Sequence, residues 1–165
     1  MAAGALWKYF DGFEEVVVES YRYSFQGMFA RLDEHLEEPG LAGLEAAVSV
    51  LLPFSPEAEF EGRVALGYLG FRGKYADLIN VEGEMERVWA RHLRHHLESA
   101  RHLGELVPGV EVDELTEMLL VFVIGLQMQW AVPNSLNRAP DRQRQLLREF
   151  MNPWLAVPGT FFAAD

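Results

Sequence analysis

Residues 113–132 read DELTEMLLVFVIGLQMQWAV, and this stretch decides the fold. Asp113 offers a helix cap, and Leu119, Leu120, Val121, Phe122, Val123, Ile124 and Leu126 then put apolar groups on nearly every side of a helix from Glu114 to Val132. The period-2 alternation of a half-buried strand is missing. A helix with no face for water must be covered by its own domain on one side and by something else on the other. A second subunit is the simplest cover. The apolar run from Met118 to Val132 spans 15 residues and is broken by Gly125, Gln127 and Gln129. A membrane span needs roughly 20. Pro133 stops the helix.

The segments on either side also read as helices. Asp11 with Glu14 forms a capping-box pattern that opens a long helix with the stripe Val17, Tyr21, Phe25, Met28, Leu32 and Leu36, closed by Pro39-Gly40. A short helix, Leu41 to Leu52, ends at Pro53. Ser55-Pro56-Glu57 restarts the chain with a hydroxyl cap, proline at the first helical position and an acid near the positive helix end. This third helix carries Gly62, Gly67, Gly70 and Gly73, which point to close helix packing or a bend; without a preceding strand or a following Gly-Lys-Ser/Thr they do not read as a phosphate loop. A fourth helix runs from Ala76 to Leu103 with the stripe Leu78, Met85, Trp89, Leu93, Leu97 and Ala100, and stops at Gly104 and Pro108-Gly109. A last helix, Pro140 to Met151, ends before Pro153 and leaves an apolar tail with Phe161 and Phe162.

The bulk composition narrows the function classes. The 165 residues suit one domain, and half of them are apolar, enough for a core without staples. There is no cysteine, so disulfides, thiolate metal sites and cysteine nucleophiles are excluded, in keeping with a reducing cytoplasm. Met1 to Phe10 has no signal-peptide core. A formal charge of −11 with only two lysines, Lys8 and Lys74, argues against this segment gripping nucleic acid by itself. No nucleophile elbow or Ser-His-Asp candidate appears, and the acid pairs lie at helix ends where the dipole and solvent explain them. The chain does not read as an enzyme, and no cofactor is expected.

The opening, Gly4-Ala5-Leu6-Trp7-Lys8-Tyr9-Phe10-Asp11-Gly12-Phe13-Glu14-Glu15-Val16, resembles the junction between recognition helix and first sensor helix in TetR-type transcriptional regulators. Trp7 falls at that family's first aromatic and Tyr9-Phe10 at its Tyr/His-Phe pair. The helix order is similar too: long, short, Pro-started, long, apolar interface helix, final helix. The resemblance implies an all-α, multi-helix bundle of the TetR regulator C-terminal domain type. In that reading residues 1–10 are the remnant of a recognition helix, 11–157 an effector-binding and dimerisation domain and 158–165 a tail. The rest of the DNA-reading head would lie outside this chain. Trp7, Lys8 and Tyr9 would touch DNA backbone if the head were present, whereas Phe13 stands where the family often has a phosphate-contacting lysine. The resemblance further implies a homodimer, a small apolar or aromatic effector, and DNA contact only through residues missing from this chain.

The residues themselves suggest where an effector would sit. Phe25, Phe29, Tyr68, Phe71, Trp89, Phe122 and Trp130 supply more aromatic surface than four segments need, and glycines leave room between their backbones. His92, His96 and Gln129 are polar groups able to orient a ligand. His92 and His96 also have the spacing of metal ligands, but no third ligand is evident nearby, and no metal is expected. Leu119, Phe122, Val123, Leu126, Leu147 and Phe150 are the expected dimer interface. The alternative of another class is a stand-alone helical carrier or interaction protein with no DNA role; a third is a metal- or haem-binding bundle using His92 or His96.

Overall fold

The computed structural model describes residues 7–69 and 76–163. Six helices follow in order: α1 (Phe13–Glu34), α2 (Gly40–Leu51), α3 (Pro56–Leu69), α4 (Ala76–His102), α5 (Val112–Ala131) and α6 (Pro140–Met151), then a 3-10 turn at Asn152–Trp154. α4 is the axis of the bundle. It packs along α2 and α5 and also meets α1, while α3 bridges α1 and α5.

The stripes form because 3.6 residues per turn bring their members to one side. On α1, Val17, Val18, Tyr21, Phe25, Met28 and Leu32 are buried. On α4, Leu78, Met85, Trp89, Leu93, Leu97 and Ala100 all enter the core. Ser55 caps α3 as its position implies, its Oγ accepting the Ala58 N–H at 3.2 Å.

Several helix ends differ from the sequence-based expectation. Gly12, not Asp11, is the N-cap of α1, and the Asp11 N–H donates to Glu15 Oε2 at 2.6 Å instead of Glu14 closing a capping box. Leu36 lies beyond α1, which ends at Glu34. Pro39-Gly40 opens α2 rather than closing α1. Gly40 sits at φ 57°, and a Cβ there would lie 2.1 Å from Glu105 Oε2. Asp113 is not the cap of α5; that position is Glu111, and Asp113 pairs with Arg94 at 2.7 Å.

α4 ends at His102, and Gly104 just beyond it, at φ 74°, lets the Glu105 N–H turn back to the Ala100 carbonyl at 2.9 Å. The chain then runs beside the C-terminal segment. Leu106 and Leu155 form an antiparallel bridge, with Val107 N–H on Trp154 O and Ala156 N–H on Glu105 O. Residues 158–163, expected as a tail, are packed: Phe161 is fully buried in the core, Arg148 donates to the Phe162 carbonyl, and the Phe162 N–H donates to Glu45 at 2.7 Å. Burying two phenylalanines is worth several kcal/mol, by the usual ~1.5–3 kcal/mol for each side chain of this size.

No helix among the described residues is long and apolar enough to cross a membrane.

Candidate functional site

Between α1, α3, α4 and α5 lies a narrow crevice of about 30 Å³, nearly closed by its own walls. Phe25 and Met28 enter it from α1, Ala58, Glu61, Gly62, Ala65 and Leu66 from α3, Trp89 from α4, and Gln127, Met128 and Trp130 from α5. Leu51 and Pro53 close one end. A second crevice of about 60 Å³, with Tyr21, Glu82, Met85, Glu86 and Ile124 in its walls, shares Ala65, Trp89, Gln127 and Met128 with the first. The two are lobes separated by the same side chains.

Gly62 explains how α3 comes close to α5: a Cβ there would stand 3.2 Å from the Trp130 ring. Gly67 has open space around it and no such role, and Gly70 and Gly73 lie outside the described residues. The walls carry few polar groups, and most are committed. Arg31 donates to the buried Glu61 carboxylate at 2.6 Å, and Gln127 Nε2 donates to the Leu51 carbonyl at 2.5 Å. Trp89 is different. Its Nε1–H is buried and meets no acceptor among the described residues.

Of the residues expected to line a pocket, Phe25, Trp89 and Trp130 meet at this site. Phe29 is half-buried against the core but outside the crevice walls. Tyr68 packs on Tyr21, ring centroids 4.5 Å apart, beside the second lobe. Phe71 lies outside the described residues. Phe122 turns to α6 and stacks on Phe150 at 4.5 Å. Gln129 is exposed and accepts from Ser135 Oγ at 2.7 Å. Its place is taken by Gln127, because residues two apart on a helix point to opposite sides.

The histidines are also elsewhere. His92 and His96 share a face with Trp89, but His96 stands seven residues on, about 10 Å further along the axis. There α4 meets the end of α1 and the start of α2. His92 Nε2 lies 3.4 Å from Asp33 Oδ1, and His96 is fully buried against Gly43. His95 Nε2 meets the Leu36 carbonyl at 2.9 Å, and His35 Nδ1 meets Glu38 Oε1 at 2.8 Å. Burial lowers the pKa of His92, against the pull of Asp33, and brings His96 down to about 4. Among the described residues no group of three or more potential ligands is placed to hold a metal ion.

The expected interface residues divide by burial. Leu119, Val123, Leu126 and Leu147 are inside the protomer, because their i, i+4, i+7 stripe is the one that faces α4 and the core. Phe122 and Phe150 remain partly exposed. The outward face of α5 instead carries Met118 and Val121, 39% and 71% exposed, with the open Gly125 beside them. α6 is fixed to α5 by the buried Gln143, whose Nε2 donates to the Leu126 carbonyl at 2.9 Å. At the start of the described chain Trp7 and Tyr9 are exposed, 51% and 81%, and Lys8 is exposed between them.

Sequence periodicity hid part of this site. Glu61 occupies an apolar stripe, Ala58–Glu61–Ala65–Tyr68, and an acid at such a position was a usable signal. Met28 and Met128 carried none that set them apart from ordinary core.

Residues 40–155, more than half of the chain, match the family model for the C-terminal domain of BetI-type transcriptional repressors. No curated protein matches the chain. The helix order, the α-helical bundle and this match agree: the chain belongs to the TetR family of transcriptional regulators, with residues 40–155 forming the C-terminal domain.

Proposed function

We propose that this chain is the effector-binding and dimerisation domain of a TetR-like repressor, in which a small molecule in the two-lobed crevice controls DNA binding of the full-length protein. The observation that carries this reading is the double use of α1. Its first turn follows the exposed Trp7–Tyr9 segment, and its middle supplies Tyr21, Phe25 and Met28 to the crevice walls. A molecule that spreads the lobes must move α1 relative to α4, and so moves whatever precedes α1. That is a population shift between two arrangements, driven by differential binding. The exposed apolar face of α5 and α6 gives two protomers a surface to share, so that the motion changes the distance between two α1 starts.

The chain has no cysteine, so Glu14→Cys gives one spin label per protomer. In a dimer the two labels report the separation of the α1 N-termini. A compound that raises the melting temperature should shift that distance distribution. If the protein gives no intermolecular distance, or if a stabilising compound leaves it unchanged, this reading fails.

A further inference from the structure

We propose that the effector is a neutral molecule with two apolar arms and a central hydrogen-bond acceptor, and that Trp89 Nε1–H is the donor that selects it. This rests on the crevice being the effector site. Trp89 is 5% exposed, forms the wall common to both lobes, and has the one buried donor of those walls without an acceptor among the described residues. A buried donor left unmade is costly, and an arriving acceptor recovers that loss as affinity and as discrimination.

Charge narrows the class. Glu61 is already neutralised by Arg31, so the buried carboxylate of the first lobe does not call for a cation. Glu82 and Glu86 in the second lobe disfavour an anion. The lobes on either side of Trp89 are mainly apolar, with Phe25, Met28 and Trp130 in one and Tyr21, Ile124 and Met128 in the other. Two arms flanking one acceptor match that division.

Three compounds of one shape separate the possibilities: benzophenone carries the acceptor, diphenylmethane lacks it, and benzhydrylamine replaces it with a cation. Affinities are measured by calorimetry on the wild type and on Trp89→Phe, which keeps an aromatic ring and removes the donor. Near-ultraviolet irradiation of the benzophenone complex adds the ketone across a neighbouring C–H bond, and peptide mass spectrometry locates the adduct. The wild type should bind benzophenone about five- to tenfold tighter than diphenylmethane, the worth of one neutral hydrogen bond. In Trp89→Phe the two should bind alike, with diphenylmethane unchanged. Adducts should fall on the α4 and α5 peptides that contain Trp89 and Met128. If the adducts fall there but the preference survives in Trp89→Phe, or benzhydrylamine binds tightest, the donor assignment is overturned and the crevice reading stands. If no compound binds, or the adducts lie elsewhere, both are overturned.

Discussion

His96 has no accessible surface, and its surroundings were chosen for a neutral ring. On the α2 side it faces Gly43, where a Cβ would lie 2.2 Å from the Glu38 carbonyl oxygen and 2.4 Å from His96 Nδ1. Only glycine lets α2 and α4 approach there. Desolvation is the largest influence on the imidazole and lowers its pKa to about 4; His95 and His92 add to it, while the Glu38 carbonyl and carboxylate oppose it. The unfolded chain therefore binds a proton that the folded chain refuses between about pH 6.5 and 4. Stability is full above that window and falls as pH drops through it. The loss attributable to His96 at pH 5 is at most about 2 kcal/mol. His92 works in the same sense, whereas Glu45, raised by burial, gains stability as it protonates and opposes them at the acid end. Urea midpoints measured at pH 7.5 and pH 5 should show this decline, and His96→Gln should make it shallower. An equal decline in both proteins would mean that His96 does not drive it.

α2 shows how one element depends on another. Its N-terminus has no side-chain cap of its own, since Pro39 and Gly40 offer no acceptor. α4 and the turn that follows it supply two acceptors: Ser99 Oγ accepts the Gly40 N–H at 2.9 Å, and the Glu105 carboxylate accepts the Leu41 N–H at 2.8 Å. A carboxylate at a helix N-terminus meets both free N–H groups and the positive end of the dipole. Glu105→Ala should lower the unfolding free energy by about 1–2 kcal/mol, the usual worth of such a cap, with an unchanged denaturant slope. Glu105→Gln should retain part of it. A neutral effect of the alanine variant would show that water replaces the carboxylate without loss.

For the whole molecule, the question is what covers α5. The helix is apolar on two sides, and the core of the chain covers one of them. The other side presents Met118, Val121 and Gly125 next to the stacked Phe122 and Phe150. Light scattering at micromolar concentration should give a dimer mass. Val121→Asp, on a 71% exposed position with no role in the protomer core, should give a monomer with undiminished helical circular dichroism. A wild-type monomer, or a dimer that tolerates Val121→Asp, would remove α5 from the interface.

Much of this architecture was legible in residues 1–165 taken alone. Helix number, order and type followed from apolar periodicity and from Pro and Gly punctuation, because both act within a turn or two of chain; α6 begins and ends where Pro140 and Met151 suggested. Phe25, Trp89 and Trp130, which line the crevice, stood out by aromatic bulk, which is visible without coordinates. Local pattern cannot tell which of two apolar stripes on α5 faces inward, and so Leu119, Val123 and Leu126 read as interface although they are core. Nor can it show that Gln127 rather than Gln129 reaches the crevice, that His92 and His96 meet the start of α2 and the end of α1, or that Phe161 closes the core from the far end of the chain. Those are decided by the rotation of each helix about its axis and its height against its neighbours. Both are set by close packing between residues far apart in sequence, such as Gly62 against Trp130 and Gly43 against His96.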